Sequence, residues 1–196
     1  MKLSAVVLAG GQSLRMGKDK SFLIYEDRSF LGRILEELAH VDEVLLSLGQ
    51  GVHNQEYYQF SNVSLVEDEI DGIGPIVGLY SSLKRCRNEH LFVCTVDMPL
   101  FKKELIELLQ SFVGPDVDAV IIQASDGFHP LCGIYRKSLL TAIEEMLKEK
   151  NYRLMNLLKK SRTRYVSLEN GPDEGLITNV NTREEYEKLQ GGVALA

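Results

Sequence analysis

Apolar positions along this 196-residue chain fall into two alternating rhythms. Short, nearly unbroken apolar runs occupy residues 3–9, 44–48, 63–66, 91–96 and 119–123. Runs of that length, rich in β-branched side chains, predict strands buried on both faces. Between them the spacing changes. Leu31, Ile34, Leu35 and Leu38 form one stripe over residues 30–38, and Leu105, Leu108, Leu109 and Phe112 form another over 102–112. Ile76, Leu79, Tyr80 and Leu83 do the same in a segment opened by Pro75 and running to about Arg87. Steps of three and four residues place side chains on one helical face. Proline suits a first helical turn, where its missing N–H would have had no partner. Strand and helix in alternation predict a three-layer α/β fold, with a mostly parallel sheet covered by helices on both faces.

The second half departs from simple alternation. Ala124-Ser125-Asp126-Gly127-Phe128-His129-Pro130 reads as a turn-rich connection into a strand over 131–136. A helix is predicted over 138–148, with Leu139, Leu140, Ile143 and Leu147 inward. A short helix over 153–160 and a strand over 164–168 follow. An antiparallel insertion here would wall a cleft for a second substrate. No internal repeat or low-complexity linker interrupts the chain, and residues 191–196 read as a frayed tail.

The length suits one domain with a full core. A net charge of −6 argues against a nucleic-acid surface as the main business. Cys86, Cys94 and Cys132 are odd in number and form no C-x-x-C pair, which fits a reducing cytoplasm better than a disulfide or zinc framework. No apolar run approaches the ~20 residues that cross a bilayer. The first apolar run passes into a glycine loop with no separate cleavage region, so it reads as a strand rather than a signal peptide.

Against this acidic background one loop stands out: Leu8-Ala9-Gly10-Gly11-Gln12-Ser13-Leu14-Arg15-Met16-Gly17-Lys18-Asp19-Lys20. Glycines let main-chain N–H groups approach an anion, and nearby cations neutralise charge that those dipoles cannot. Three cations beside such a nest point to a polyphosphate; the alternative is a glycine turn with solvated charges. The loop is neither a Walker A motif, because Asp19 stands where Ser or Thr should follow the lysine, nor G-x-G-x-x-G, because Gly10 and Gly11 are adjacent.

Three further segments carry chemistry. Asp97, in Asp97-Met98-Pro99, ends the apolar run 91–96. Ligands of open α/β sheets collect outside the C-terminal strand ends, so Asp97 should share an edge with the glycine loop. One carboxylate plus substrate phosphates makes an adequate Mg²⁺ site; the bland alternative is a residue shaping the turn before Pro99. Glu67-Asp68-Glu69-Ile70-Asp71 precedes Gly74-Pro75-Ile76-Val77-Gly78, a helix start that a ligand could approach closely. In Asn179-Val180-Asn181-Thr182, alternation aims both asparagines the same way, while Thr182 and Glu185 form a capping box that could be the segment's whole purpose. His129 is a lone histidine, a type more often structural or solvated than catalytic.

L-A-G-G-x-x-x-R-M-G-x-D-K resembles the signature loop of the molybdenum cofactor guanylyltransferases, the molybdopterin-guanine dinucleotide biosynthesis A family of Rossmann-like nucleotidyltransferases. The resemblance extends from Leu8 to about Tyr186, with D-x-P, E-D, G-P-x-x-G, H-P and N-x-N-T in the family order. It implies one domain over 1–190, with a nucleotide-binding part to about residue 100 and a pterin-binding part beyond. It also implies transfer of GMP from GTP to the terminal phosphate of molybdopterin, in the cytoplasm, with release of pyrophosphate. Catalysis would fall to Arg15, Lys20 and Asp97, with Mg²⁺ on Asp97. Leu8, Ala9, Gly10, Gly11, Lys20, Ser47, Asp68, Gly78 and Asp97 would meet the nucleotide. Asp68 would read guanine, with Asp71 its rival. His129, Asn179 and Asn181 would meet the second substrate, molybdopterin or the molybdenum cofactor. Partners would extend to cofactor-biosynthesis proteins and apo-molybdoenzymes or their chaperones, with neither nucleic acid nor membrane among them.

Three departures mark this chain. The loop is one residue shorter than the R-M-G-G-x-D-K form, Ser47 stands where some members carry asparagine, and Gly49 and Gly51 loosen the following loop. The enzymatic rivals are a cytidylyltransferase of the same cofactor, whose relatives tend to carry L-A-A-G, and the sugar-phosphate nucleotidyltransferases with G-x-G-T-R. A non-catalytic cofactor-delivery module is the rival of another class.

Overall fold

The structure is a computed structural model and describes residues 1–10, 19–51, 55–60, 62–70 and 73–192. Nine strands are described: β1 Ser4–Leu8, β2 Ile24–Tyr25, β3 Arg28–Ser29, β4 Glu43–Leu48, β5 Ser64–Glu67, β6 His90–Thr95, β7 Ala119–Ala124, β8 Gly127–Arg136 and β9 Thr163–Ser167. Six α-helices accompany them: α1 Phe30–Glu37, α2 Pro75–Arg85, α3 Glu104–Gln110, α4 Leu140–Lys148, α5 Leu154–Lys160 and α6 Arg183–Gln190.

Seven strands form one sheet in the order β5-β4-β1-β6-β8-β7-β9, and β2 pairs with β3 in a separate hairpin. All pairings in the large sheet are parallel except those of β8 with β6 and β7. The pleat sends alternate residues of β1 to opposite faces. Ala5 and Val7 pack with Leu31 and Ile34 of α1 and Leu105 and Leu109 of α3. Val6 and Leu8 pack with Ile76 and Leu79 of α2, Ile143 of α4 and Leu157 of α5. The sheet is therefore covered on both faces, which is why its strands read as continuous apolar runs.

The helix ends differ from the periodic stripes for local reasons. α2 stops at Arg85 rather than Arg87 because the backbone N–H of Arg87 leaves the helix for the Glu43 carboxylate, 2.7 Å away. α3 starts at Glu104 rather than Lys102 because the preceding turn closes with three-residue bonds, Leu105 to Lys102 and Ile106 to Lys103, while Glu37 caps the Lys103 N–H that the helix leaves without a partner. Its far end tightens into three-residue turns at Ser111, Phe112 and Val113. A 3-10 turn, Lys137–Leu139, precedes α4, and Met146 takes the fully buried place expected of Leu147. α5 and β9 match the expected elements to within one residue at each end.

The larger correction is at residues 124–130. Most of that segment is strand rather than connection, and the antiparallel element is not an insertion beside the sheet but its fifth strand. Only Ser125 and Asp126 separate β7 from β8, and Gly127 (φ 128°) supplies a backbone that side chains rarely allow. Pairing then slips: Ile121 faces Gly133, but Ile122 faces His129. Pro130, Leu131 and Cys132 lie in the resulting bulge, which tolerates a residue without an N–H. The Tyr135 hydroxyl bridges it by donating to the Pro130 carbonyl at 2.5 Å.

Beside the bulge, a Cβ on Gly133 would lie 2.6 Å from both Ile121 Cδ1 and the Val120 carbonyl oxygen. One of those contacts is backbone and cannot yield. Gly133→Ala should therefore cost roughly 2 kcal/mol, the scale of overpacking a close-packed site. It should show as a lowered denaturant midpoint at unchanged slope.

The topology gathers the C-terminal ends of β4, β1 and β6 on one edge, where open α/β sheets bind ligands. Because β8 runs the other way, its first residues lie on that same edge. Among the described residues no helix is long and apolar enough to cross a membrane.

Candidate active site

Main-chain hydrogen bonds continue past the strands and tie their ends together. The Ala9 N–H donates to the Ser47 carbonyl (2.9 Å), Val96 to Leu8 (3.1 Å) and Asp68 to Leu48 (3.0 Å). Gly10 follows at once. A Cβ there would lie 2.8 Å from the Gly49 backbone nitrogen, so its glycine is demanded by the close approach of two loops as well as by any ligand. Gly11, Arg15 and Lys18 lie outside the described residues.

The chain is described again from Asp19, which caps the 3-10 helix Lys20–Phe22 by accepting from the Ser21 N–H at 3.0 Å. That turn delivers Lys20 to the sheet edge. Its ammonium donates to Asn181 Oδ1 at 2.8 Å and meets Asp97 Oδ2 at 3.3 Å. The other Asp97 oxygen, Oδ1, is buried and has no hydrogen-bond partner among the described residues. Buried polar atoms are nearly always satisfied, and an exception asks for a reason. A bare carboxylate oxygen on a side chain that also meets Lys20 fits a hard divalent cation, whose remaining ligands can be waters and substrate phosphates.

The segment carrying Asn181 is fixed from two sides. The Val180 N–H donates to the Asp97 carbonyl at 2.8 Å, and the Val180 side chain is buried with Phe30 and Leu189. Asn179 and Asn181 on either side remain exposed. The Thr182–Glu185 capping box is present, and Glu185 also accepts from the Asn181 N–H at 2.5 Å. That backbone bond is the main reason the Glu185 carboxyl titrates below its usual range. Asn181 thus has its backbone held by Glu185 while its side chain holds Lys20.

A second group lies on the α2 face. The Ser47 hydroxyl donates to Asp68 Oδ1 at 2.8 Å. A Cβ on Gly78 would come within 2.9 Å of Ser47 Oγ, 3.1 Å of Leu8 Cδ2 and 3.5 Å of Asp68 Oδ1. Leu8, Ser47, Asp68 and Gly78 therefore converge, and the serine that replaces asparagine orients the neighbouring carboxylate. Asp71 lies outside the described residues. His129 sits on β8, the strand beside β6, with its Nε2 2.7 Å from Asp126 Oδ1; its ring pairs there rather than with Lys20 or Asp97.

Two residues near the site carry no signal in the sequence. Tyr57, from the 3-10 helix Gln55–Gln59, is 1% exposed and donates its hydroxyl to Asp19 Oδ2 at 2.7 Å. Ser21 Oγ lies 2.9 Å from the same hydroxyl. The three cysteines are free and buried; burial pushes the Cys86 thiol up to about 11 and that of Cys132 to about 12, so neither offers a thiolate at neutral pH.

Residues 5–165 match the MobA-like NTP transferase domain. A protein of Aquifex aeolicus, named a probable molybdenum cofactor guanylyltransferase, is 33% identical over 186 residues, covering 93% of this chain and 88% of its own length. The molybdenum cofactor guanylyltransferase of Syntrophotalea carbinolica is 32% identical over 190 residues, covering 94% and 89%. The crystal structure of molybdopterin-guanine dinucleotide biosynthesis protein A from Archaeoglobus fulgidus superposes with a TM-score of 0.77 at 20% identity, over 96% of this chain and 97% of that one. At that identity the likeness bears on the fold, and the two folds agree.

Proposed function

The chain belongs to the MobA-like NTP transferase family, and we propose that it acts as its molybdenum cofactor guanylyltransferase relatives are named to act, joining GMP from GTP to the terminal phosphate of molybdopterin. A phosphate oxygen of the pterin substrate bonds to the α-phosphorus of GTP, the bond from that phosphorus to the β-phosphate bridge oxygen breaks, and pyrophosphate leaves. The attacking phosphate is ionised at neutral pH, so no general base is needed. Catalysis then consists of in-line placement and charge neutralisation.

The observation that carries this reading is the cluster of Lys20, Asp97 and Asn181 at the strand edge, with one Asp97 oxygen buried and bare. Asp97 would hold a divalent cation, Mg²⁺ by preference, together with substrate phosphates; bound there, the cation supplies neutralisation of phosphate charge. Among the described residues no three His, Cys, Asp or Glu side chains gather to hold a metal alone, which is consistent with a site that substrate completes. Lys20 and Arg15 would offset the triphosphate charge, and the backbone from Leu8 to Gly11 would follow the nucleotide. The pocket of Ser47, Asp68 and Gly78 would receive guanine: a carboxylate accepts both the ring N–H and the amino hydrogen of that base. Asn179, Asn181 and His129 would face the pterin substrate, which the half of the chain beyond about residue 100 accommodates.

Thermal unfolding with GTP, CTP, ATP or UTP and Mg²⁺ tests the nucleotide. A ligand at one hundred times its Kd stabilises by about 2.7 kcal/mol. In a chain of this size that is roughly 5–10 °C. GTP should give the largest shift; a larger shift with CTP would replace this reading by the cytidylyl one. Pyrophosphate release from GTP in the presence of molybdopterin then separates a transferase from a delivery module.

A further inference from the structure

We propose that Tyr57 is a positioning residue for Lys20, acting through a closed hydrogen-bond ring with Asp19 and Ser21; the proposal rests on the reading of Lys20 as a phosphate-binding cation. The two residues that flank Lys20 in the chain are both tied to one phenol. Asp19 Oδ1 accepts from the Ser21 N–H at 3.0 Å, and Asp19 Oδ2 accepts from Tyr57 at 2.7 Å. An ionised carboxylate only accepts, so the single phenolic proton goes to Asp19. The Ser21 hydroxyl, 2.9 Å away, must then donate to the phenol oxygen, which closes the ring with every direction set.

A 3-10 helix of three residues has little stability of its own. Here both sides of Lys20 are pinned, and the Phe22 ring rests against that of Tyr57 with centroids 5.1 Å apart. Burial raises the Tyr57 phenol above its ordinary range, so it remains a donor throughout the working range of pH. The brace has a second anchor. Tyr57 belongs to the connection between β4 and β5, and that same connection begins with Gly49 against Gly10. The described parts of this one connection therefore meet the chain both at Gly10 and at the two neighbours of Lys20. A lysine side chain is long and loses much rotamer freedom when held, so a fixed backbone under it determines where its ammonium is presented.

Tyr57→Phe keeps the ring and its contact with Phe22 but opens the hydrogen-bond ring. We expect kcat to fall roughly tenfold with KM for GTP within about threefold, the pattern of a displaced charge rather than a lost binding surface. The discriminating measurement is a double-mutant cycle with Lys20→Ala. If Tyr57 acts through Lys20, Tyr57→Phe costs nothing further once the lysine is gone; a merely structural role gives additive losses. The same cycle is read by calorimetry with Mg²⁺-pyrophosphate as the probe, where Tyr57→Phe should weaken binding about two- to threefold with Lys20 present and leave it unchanged in its absence. Should the wild type release no pyrophosphate from GTP and molybdopterin, the guanylyl reading fails, and the calorimetric cycle alone judges the brace. Ser21→Ala opens the ring from its other side and serves if Tyr57→Phe does not fold. Additive losses in either cycle, or no loss in the folded single variant, would overturn the proposal.

Discussion

Asp97→Asn should lower pyrophosphate formation by ~10³-fold or more while leaving the fold intact. The substitution keeps size and shape. It also leaves the Asp97 carbonyl free to accept from Val180, the bond that docks the Asn179–Asn181 segment. Lys20 retains Asn181 Oδ1 at 2.8 Å as a partner. What disappears is the negative charge on an oxygen that is buried and bare. An amide oxygen is a much poorer ligand for a hard cation. Charge stabilisation by a metal of this kind is worth several kcal/mol, and about 4 kcal/mol corresponds to ~10³ in rate. Pyrophosphate formed per enzyme, measured against Mg²⁺ concentration for both proteins, decides the matter. Normal turnover at equal metal would make Asp97 a turn residue and send the search for the metal site elsewhere. Loss of the Lys20 partner at Oδ2 costs some stability and removal of charge from the bare Oδ1 offsets part of it, so the variant should stay folded with only a modest drop in unfolding temperature in the absence of ligand.

The alternation of strand and helix was legible because burial on both faces writes it into composition. Val6 and Val7 point to opposite cores, and both must be apolar. β8 was only half legible. Its later residues read as strand, whereas Gly127, His129 and Pro130 carry turn-forming chemistry, and only the bulge opposite β7 reconciles a proline with a sheet interior. The β2–β3 hairpin leaves no mark in the sequence for another reason: two-residue strands have no periodicity to detect. The end of α2 is set by Glu43, a carboxylate more than forty residues away, which no local pattern encodes.

The candidate site divides along the same line. Lys20, Asp97 and Asn181 are legible because each lies in a short motif, and for Asp97 the motif sits just past β6, on the edge to which the topology brings the strand ends. Their meeting still required the distant bond from Val180 to Asp97. Gly10 was read for its ligand and proves also to be needed by Gly49, a packing reason that no motif carries. Tyr57 was invisible: it belongs to no periodic segment, and its partners lie 36 and 38 residues earlier. Motifs record groups that face a ligand more faithfully than they record what holds those groups still.

Lys20→Ala should cut turnover by at least ~10²-fold, the scale of losing one preorganised charge contact in a protected site. The ammonium is held by two oxygens of different kinds, a carboxylate at 3.3 Å and an amide at 2.8 Å, and both Lys20 and Asp97 side chains are largely buried. Removing one member of such a pair leaves the other charge uncompensated, so the variant should also lose stability. Mg²⁺ should return part of that loss, because a cation on Asp97 replaces the missing positive charge. The two effects have opposite dependence on metal: added Mg²⁺ raises the unfolding temperature of the variant, yet does not restore its rate, since the lysine's contact with phosphate is still missing. Arginine is a poor substitute, because its wide planar fork does not match a point charge seated between Asp97 and Asn181. Lys18→Ala supplies the comparison, as the corresponding motif position is open, and it should lose far less. Equal losses at Lys18 and Lys20 would mean a diffuse cationic patch, and recovery of the Lys20→Ala rate by Mg²⁺ alone would mean that the lysine only neutralises Asp97.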